Sequence, residues 1–194
     1  FREVEGYVTD LLTDHAVEYL ASRDGKTPFC LVVSHKGVHA PFTPADRHRD
    51  RYAAQTAIPP VLPDTDEAYA NLPAWLREMR HDGSGFGVEQ PYKTWPDFRS
   101  WYLDYHRTLL AIDEGVGRIL ATLQDKGLLD RTAVLFTSDN GFMFGEKGVL
   151  DKRNFYEPSI RVPMLAVAPG LIPPATAIDR FVLNVDVAPT ILEL

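Results

Sequence analysis

The sequence predicts an α/β fold, a mostly parallel sheet flanked by helices. Three observations carry that prediction. Short, nearly all-apolar runs recur at 29–33, 133–137 and 163–168, the pattern of strands buried on both faces. Two longer stretches, Thr9 to Arg23 and Asp97 to Lys126, repeat apolar residues at the helical spacing of three and four. Strand-like and helix-like runs also alternate along the chain, as crossovers between parallel strands require.

Composition narrows the class. The chain has 194 residues, 45% of them hydrophobic and 24% charged, enough for a packed core. Its 20 Lys+Arg against 27 Asp+Glu leave a net charge of −7, which argues against a general nucleic-acid binder. The single cysteine, Cys30, excludes an internal disulfide framework and any multi-cysteine metal site. No apolar run approaches the roughly 18 residues needed to span a bilayer, so no membrane span is expected. No charged-then-apolar leader precedes Phe1-Arg2-Glu3, so no signal peptide is expected, although a trimmed one leaves no trace. With Ala188 to Leu194 reading as a starting helix, both ends read as cut edges.

The elements follow in order. In the first helix Leu11, Leu12, His15, Ala16, Tyr19 and Leu20 form a stripe, Thr9 or Asp10 is the expected cap, and Gly25 and Pro28 end it. Phe29 to Val33 is the first buried strand, with Cys30 inside it. From His35 to about Pro96 prolines break the pattern, apart from a short helix near Ala74 to Arg80. The longest helix carries Trp101, Tyr105, Leu109, Ile112, Val116, Ile119, Leu120 and Leu123 on one stripe, with Asp97 as cap and Gly127 as stop. Gly115 and Gly117 mark close packing against a neighbour. Strands at 133–137 and 163–168 follow, the latter closed by Pro169-Gly170, and Phe181-Val182-Leu183 is a short fourth candidate.

Polar clusters follow two of these strands, where α/β folds collect working residues. One is Ser34-His35-Lys36-Gly37-Val38-His39-Ala40-Pro41-Phe42, the other Ser138-Asp139-Asn140-Gly141 with Lys147, Asp151, Lys152 and Arg153 beyond it. Asp139 and Asn140 offer a carboxylate and an amide oxygen, suited to a hard cation such as Ca²⁺ or Mg²⁺, and two ligands leave a calcium shell incomplete. Asp-Asn-Gly is equally ordinary turn chemistry. His39 suits proton delivery to a leaving oxygen, and Lys36 or Lys152 suits neutralising an anionic group. Each also reads as an ordinary loop or surface residue, and Arg161 and Glu157 read as a simple pair. His15 and His106 read as structural. Trp75, Tyr92 and Trp95 suit a sugar site or, more simply, a local core.

Together these segments resemble the sulfatase family of the alkaline-phosphatase-like superfamily. The resemblance is carried by Gly6-Tyr7-Val8-Thr9-Asp10, the Ser34-to-Phe42 loop and Ile112-Asp113-Glu114-Gly115-Val116-Gly117. It is strongest from Thr137-Ser138-Asp139-Asn140-Gly141 through Asp151-Lys152-Arg153 and Tyr156-Glu157 to Arg161-Val162-Pro163 and Pro169-Gly170, and Asn184 to Thr190 fits the family's later part. It implies an alkaline-phosphatase-like fold, here incomplete, with residues 1–194 as the central to C-terminal part of a sulfatase catalytic domain. It implies sulfuric ester hydrolysis, with Asp139 and Asn140 as ligands of one calcium ion, His39 at the leaving oxygen, and Lys152 and, more weakly, Lys36 on the sulfate. Lys147 stands where many relatives have His. The closest branch includes N-acetylglucosamine-6-sulfatases, which implies a sulfated carbohydrate substrate and, by family habit, a periplasmic or secreted location.

One departure is serious. The family's nucleophile is a formylglycine made from Cys/Ser-x-Pro-x-Arg, and no such motif occurs here. Cys30 has neither the proline nor the arginine and is expected to be a buried-strand residue. The formylglycine and the family's paired aspartates are expected in a missing N-terminal part, so the chain alone is predicted inactive. Two alternatives remain: a non-catalytic binding domain of the same fold, and a two-metal phosphoesterase of the same superfamily, which favours Asp-His-Gly where this chain has Asp139-Asn140-Gly141.

Overall fold

The computed structural model describes residues 3–56, 65–79 and 97–194. Helix α1 (Val8–Ala21) packs along the long helix α4 (Phe98–Asp125). Two short helices, α2 (Asp66–Tyr69) and α3 (Ala74–Met79), lie between them in sequence. Strand β1 (Val134–Thr137), a hairpin of β2 (Met143–Phe144) and β3 (Leu150–Asp151), α5 (Glu157–Ile160), β4 (Met164–Val167) and α6 (Val187–Glu193) complete the order. Expected elements at Pro59, Pro60, Pro63, Arg80, Pro91, Tyr92, Trp95 and Pro96 lie outside the described residues.

Helix α4 follows its sequence signals. The Asp97 carboxylate accepts from Ser100 N at 2.9 Å, capping the first turn. At the other end Gly127 takes φ 62°, and Leu128 N donates to Leu123 O at 2.8 Å, closing the helix with a left-handed residue that costs glycine little. The α1 stripe departs from expectation. Tyr7, not Thr9 or Asp10, holds the cap position, and the buried residues are Thr9, Thr13, Ala16 and Leu20. His15 is exposed. The reason is Gly115: a Cβ there would stand 2.5 Å from Thr13 Oγ1, so the helices approach through a glycine that a threonine covers. Gly117 meets nothing within 4 Å, and Leu109 lies outside the buried stripe.

Three small cores result. Leu20, Leu123 and Leu128 are buried between the helices, with Phe29, Leu31 and Val134 against them. Phe42, Trp101 and Phe144 anchor an aromatic cluster that also takes Tyr102, Tyr105 and Phe142. Leu76, Met143 and Val149 seat α3 on the hairpin.

The strand layer differs most from expectation. Both pairings among the described residues are antiparallel, Val134↔Val167 through Thr137↔Met164 in one sheet and Met143↔Asp151 with Phe144↔Leu150 in the other. Residues 29–33 form no regular element and belong to neither sheet. Phe29 and Leu31 pack on the helices, whereas Cys30 is exposed and Val32 is 81% exposed, so Cys30 is not buried as expected. An apolar run signals two covered faces, and here only the helix-facing one is covered. Phe181-Val182-Leu183 forms no strand either, and Phe181 is fully exposed. No described helix is long and apolar enough to cross a membrane.

Candidate functional site

The candidate residues stand on two turns that Ser159 links and on one loop that Phe42 packs against the hairpin. The first turn follows β1. Asp139 Oδ1 accepts from Asn140 N at 2.9 Å, Ser138 Oγ donates to Asn140 O at 2.9 Å, and Asn140 Nδ2 donates to Gly141 O at 2.7 Å. These local bonds leave Asp139 Oδ2 and Asn140 Oδ1 without a hydrogen-bond donor among the described residues. The turn is held from outside by Asn184, whose Nδ2 donates to Ser138 O at 3.0 Å and Asp139 O at 3.2 Å.

The second turn carries Lys152, directly after the β2–β3 hairpin. Asp151 takes φ 85°, a left-handed conformation that aspartate tolerates because its carboxylate bonds locally. Here that carboxylate accepts from Lys152 N and, at 2.9 Å, from Arg153 NH1. Lys152 itself is half-buried, and its ammonium has no ion pair among the described residues.

Ser159, buried in α5, joins the two turns. Its hydroxyl donates to Lys152 O, and its carbonyl accepts from Gly141 N at 2.8 Å. Gly141 is obligatory in that contact, because a Cβ would meet Pro158 O at 2.0 Å. The structure therefore brings the Asp139-Asn140 turn and the Lys152 turn together through the hydroxyl and carbonyl of Ser159.

His39 stands exposed on the loop leaving the 29–33 segment. His39 N donates to Lys36 O at 3.0 Å, which closes a turn with Lys36 exposed at its start. The ring Nδ1 lies 2.7 Å from Ala40 O. A carbonyl only accepts, so Nδ1 carries a hydrogen and Nε2 is left to take or give a proton. Three residues on, Phe42 enters the aromatic cluster, with ring centroids 5.8 Å from Phe142 and 6.2 Å from Phe144. Phe142 lies two residues beyond Asn140. The histidine loop is thus packed on the same turn-and-hairpin unit, although no hydrogen bond or ion pair among the described residues links the five candidate side chains directly.

Asp139 and Asn140 present oxygen only, a donor set that fits a hard cation. Among the described residues no group of three or more His, Cys, Asp or Glu gathers to hold a metal, so these two would be a partial shell. Lys147 is exposed on the hairpin turn at φ 59°. Glu157 and Arg161 form the expected pair, 3.8 Å apart on the surface. Trp75 stacks on Tyr156 at 6.4 Å between ring centroids and remains partly exposed.

Sequence reasoning missed Ser159 and the contacts of Asn184. Asn184 lies in the Asn184-to-Thr190 segment that fits the family, but nothing in its spacing says that it reaches Ser138. Ser159 carried no signal, since its importance comes from a contact with Gly141.

Comparison with known proteins gives a consistent result. The sulfatase family model matches residues 1–194. The N-acetylglucosamine-6-O-sulfatase of Bacteroides thetaiotaomicron is 28% identical over 240 residues, covering 97% of this chain and 43% of that protein. The multifunctional alkaline phosphatase superfamily protein PehA of Trinickia caryophylli is 30% identical over 188 residues, covering 93% and 36%. The solved structure of BT4656 in complex with its substrate D-glucosamine-2-N,6-O-disulfate superposes with TM-score 0.76 at 28% identity, covering 98% of this chain and 49% of that one. This chain therefore spans less than half the length of each.

Proposed function

The chain belongs to the sulfatase family, and from that premise we propose that it forms the central to C-terminal part of a sulfate ester hydrolase domain acting on a sulfated carbohydrate. What supports this most is the Ser159 tie, which sets an oxygen-donor turn and a lysine turn side by side. In this reading the His39 imidazolium gives its Nε2 proton to the departing sugar oxygen, leaving the neutral ring whose remaining hydrogen, on Nδ1, is held by Ala40 O. Lys152 offsets charge on the sulfuryl oxygens, with Lys36 as a second cation at the loop. Asp139 and Asn140 would hold calcium, which when bound adds positive charge next to those oxygens.

The nucleophile is assigned to polypeptide outside these residues, since no Cys/Ser-x-Pro-x-Arg occurs among the 194. The same polypeptide would add strands beside the 29–33 segment and β1, completing a mostly parallel sheet. Exposed Val32, Leu165 and Val167 support that reading, because apolar strand residues facing water are a surface in need of a neighbour. A sulfated glucosamine is the substrate class suggested by the relatives that act on one.

The 30% likeness to an alkaline phosphatase superfamily protein favours one rival, phosphate ester hydrolysis. Asn140 speaks against it, because an amide oxygen suits a lone hard cation where a two-metal site uses imidazole. Assay of the full-length parent protein with aryl sulfate, aryl phosphate and glucosamine 6-sulfate separates them. We expect sulfate preference, and a preference for phosphate rejects the assignment. The 194-residue chain alone is expected to turn over no sulfate ester. If the coding sequence upstream of Phe1 lacks Cys/Ser-x-Pro-x-Arg, the non-catalytic binding domain is the better reading.

A further inference from the structure

The segment from His35 to His48 is stitched to α1 and α4 at both ends, by residues that the proposed chemistry does not use. At its start His35 Nε2 lies 3.2 Å from Thr13 Oγ1. The Thr13 hydroxyl already donates to Thr9 O at 2.9 Å, so it accepts from His35, whose proton therefore sits on Nε2. Gly37 lies so close to the helices that a Cβ would meet Thr108 Cγ2 at 3.3 Å and Thr9 Oγ1 at 3.4 Å.

Past the histidine, Tyr7 OH donates to Thr43 O at 3.1 Å. Arg47 then bridges both helices. Its NH1 and NH2 donate to the two Asp10 oxygens at 2.7 and 2.8 Å, and its Nε donates to Glu114 Oε2 at 2.8 Å. Buried His48 approaches the other Glu114 oxygen, Oε1, with its Nε2 at 2.8 Å. A lone surface ion pair is worth little, but a bidentate guanidinium shared by two carboxylates fixes direction as well as distance. The hydrogen bond from Arg47 holds the Asp10 carboxyl below the usual range. Burial opposes the Glu114 charge, yet the hydrogen bonds from Arg47 and His48 outweigh it and lower that group too.

We propose that Arg47, gripping Asp10 and Glu114 beside His48, is a positioning residue that holds the downstream end of the His39 loop and so fixes the presentation of the His39 ring. Asp10 and Glu114 belong to the two helical segments that carry the family resemblance but have no assigned chemistry, and the clamp gives them one purpose. The inference rests on reading His39 as the acid of the site.

The test uses the 194-residue chain labelled with ¹⁵N-histidine, with His39→Gln identifying the His39 ring signals. The intact chain is expected to show His39 as a single Nδ1–H tautomer. Arg47→Met is expected to give averaged tautomers, while the thermal midpoint falls by no more than about 5 °C. Glu114→Gln keeps an acceptor for Arg47 and is expected to retain the single tautomer; averaging as complete as in Arg47→Met would overturn the clamp. If Arg47→Met does not fold, Arg47→Lys replaces it, since a lysine keeps the charge but cannot fork to both carboxylates. An unchanged His39 tautomer in the folded variant overturns the clamp and leaves the site reading standing. An intact chain already averaging overturns it as well. Failure of the site reading is read separately, from the sulfate and phosphate assays of the parent.

Discussion

The helical side of the molecule and its strand-and-tail side both carry large apolar residues, which meet opposite fates. On the first, Leu20 is 1% exposed and α1 and α4 bury each other. On the second, Leu165, Val167, Phe181, Val185 and Leu192 all face outward, and the Asn184 side chain ties the tail to the site. An amphipathic helix pair closes its own apolar faces, whereas a sheet face needs another layer. What differs is whether a partner lies among the described residues.

The comparison breaks most directly by mutation. Leu20→Ala is expected to destabilise the chain by about 3 kcal/mol through the cavity it leaves. Phe181→Ser, at a fully exposed position, is expected to cost less than about 0.5 kcal/mol. Urea unfolding of both variants measures the contrast, and a large loss at Phe181 would show that the tail is packed after all. Gly141→Ala comes next, at about 1–3 kcal/mol, because the new Cβ forces Pro158 O away and with it the Ser159 tie. Calcium affinity should fall together with stability in that variant, as seen by calorimetry.

Proton linkage gives a smaller effect, confined to the helical side. Burial pushes His35 below its ordinary 6.5, so the native chain keeps it neutral where the unfolded chain protonates. The unfolded state then binds more protons, and stability falls as pH drops from about 6.5 through the folded-state value. Asp10, lowered mainly by the Arg47 hydrogen bond, adds a second loss as pH falls below about 4. Urea midpoints against pH should show both limbs, with His35→Gln flattening the upper and Arg47→Met the lower. The smallest effect concerns Cys30. Being exposed, it should react with a thiol reagent at the rate of a free thiol without denaturant, whereas slow, unfolding-limited labelling would restore the covered strand that the sequence suggested.

Much of the candidate site was legible because its residues follow local chemistry. Asp139-Asn140-Gly141 is a turn by composition, and β1 ends at Thr137, one residue before it. His39 lies in a proline-held loop, and α4 begins at its aspartate cap and ends at its glycine. The α1 stripe misled, since threonines are buried there and the exposed His15 looked apolar-facing; the deciding fact was a glycine on another helix. The 29–33 run misled for the opposite reason, having one covered face where its composition implied two.

By itself the sequence determined where the chain turns helical, where it breaks, and which side chains have the acidity or oxygen donors to act. These depend on neighbours a few residues away, whose influence the backbone transmits directly. Only the tertiary structure decided that Ser159 joins the Gly141 and Lys152 turns, that Phe42 seats the histidine loop on the hairpin, and that Arg47 ties that loop to both long helices. Those contacts pair groups far apart in the chain, and hydrogen bonding and packing act across space without leaving a spacing to read.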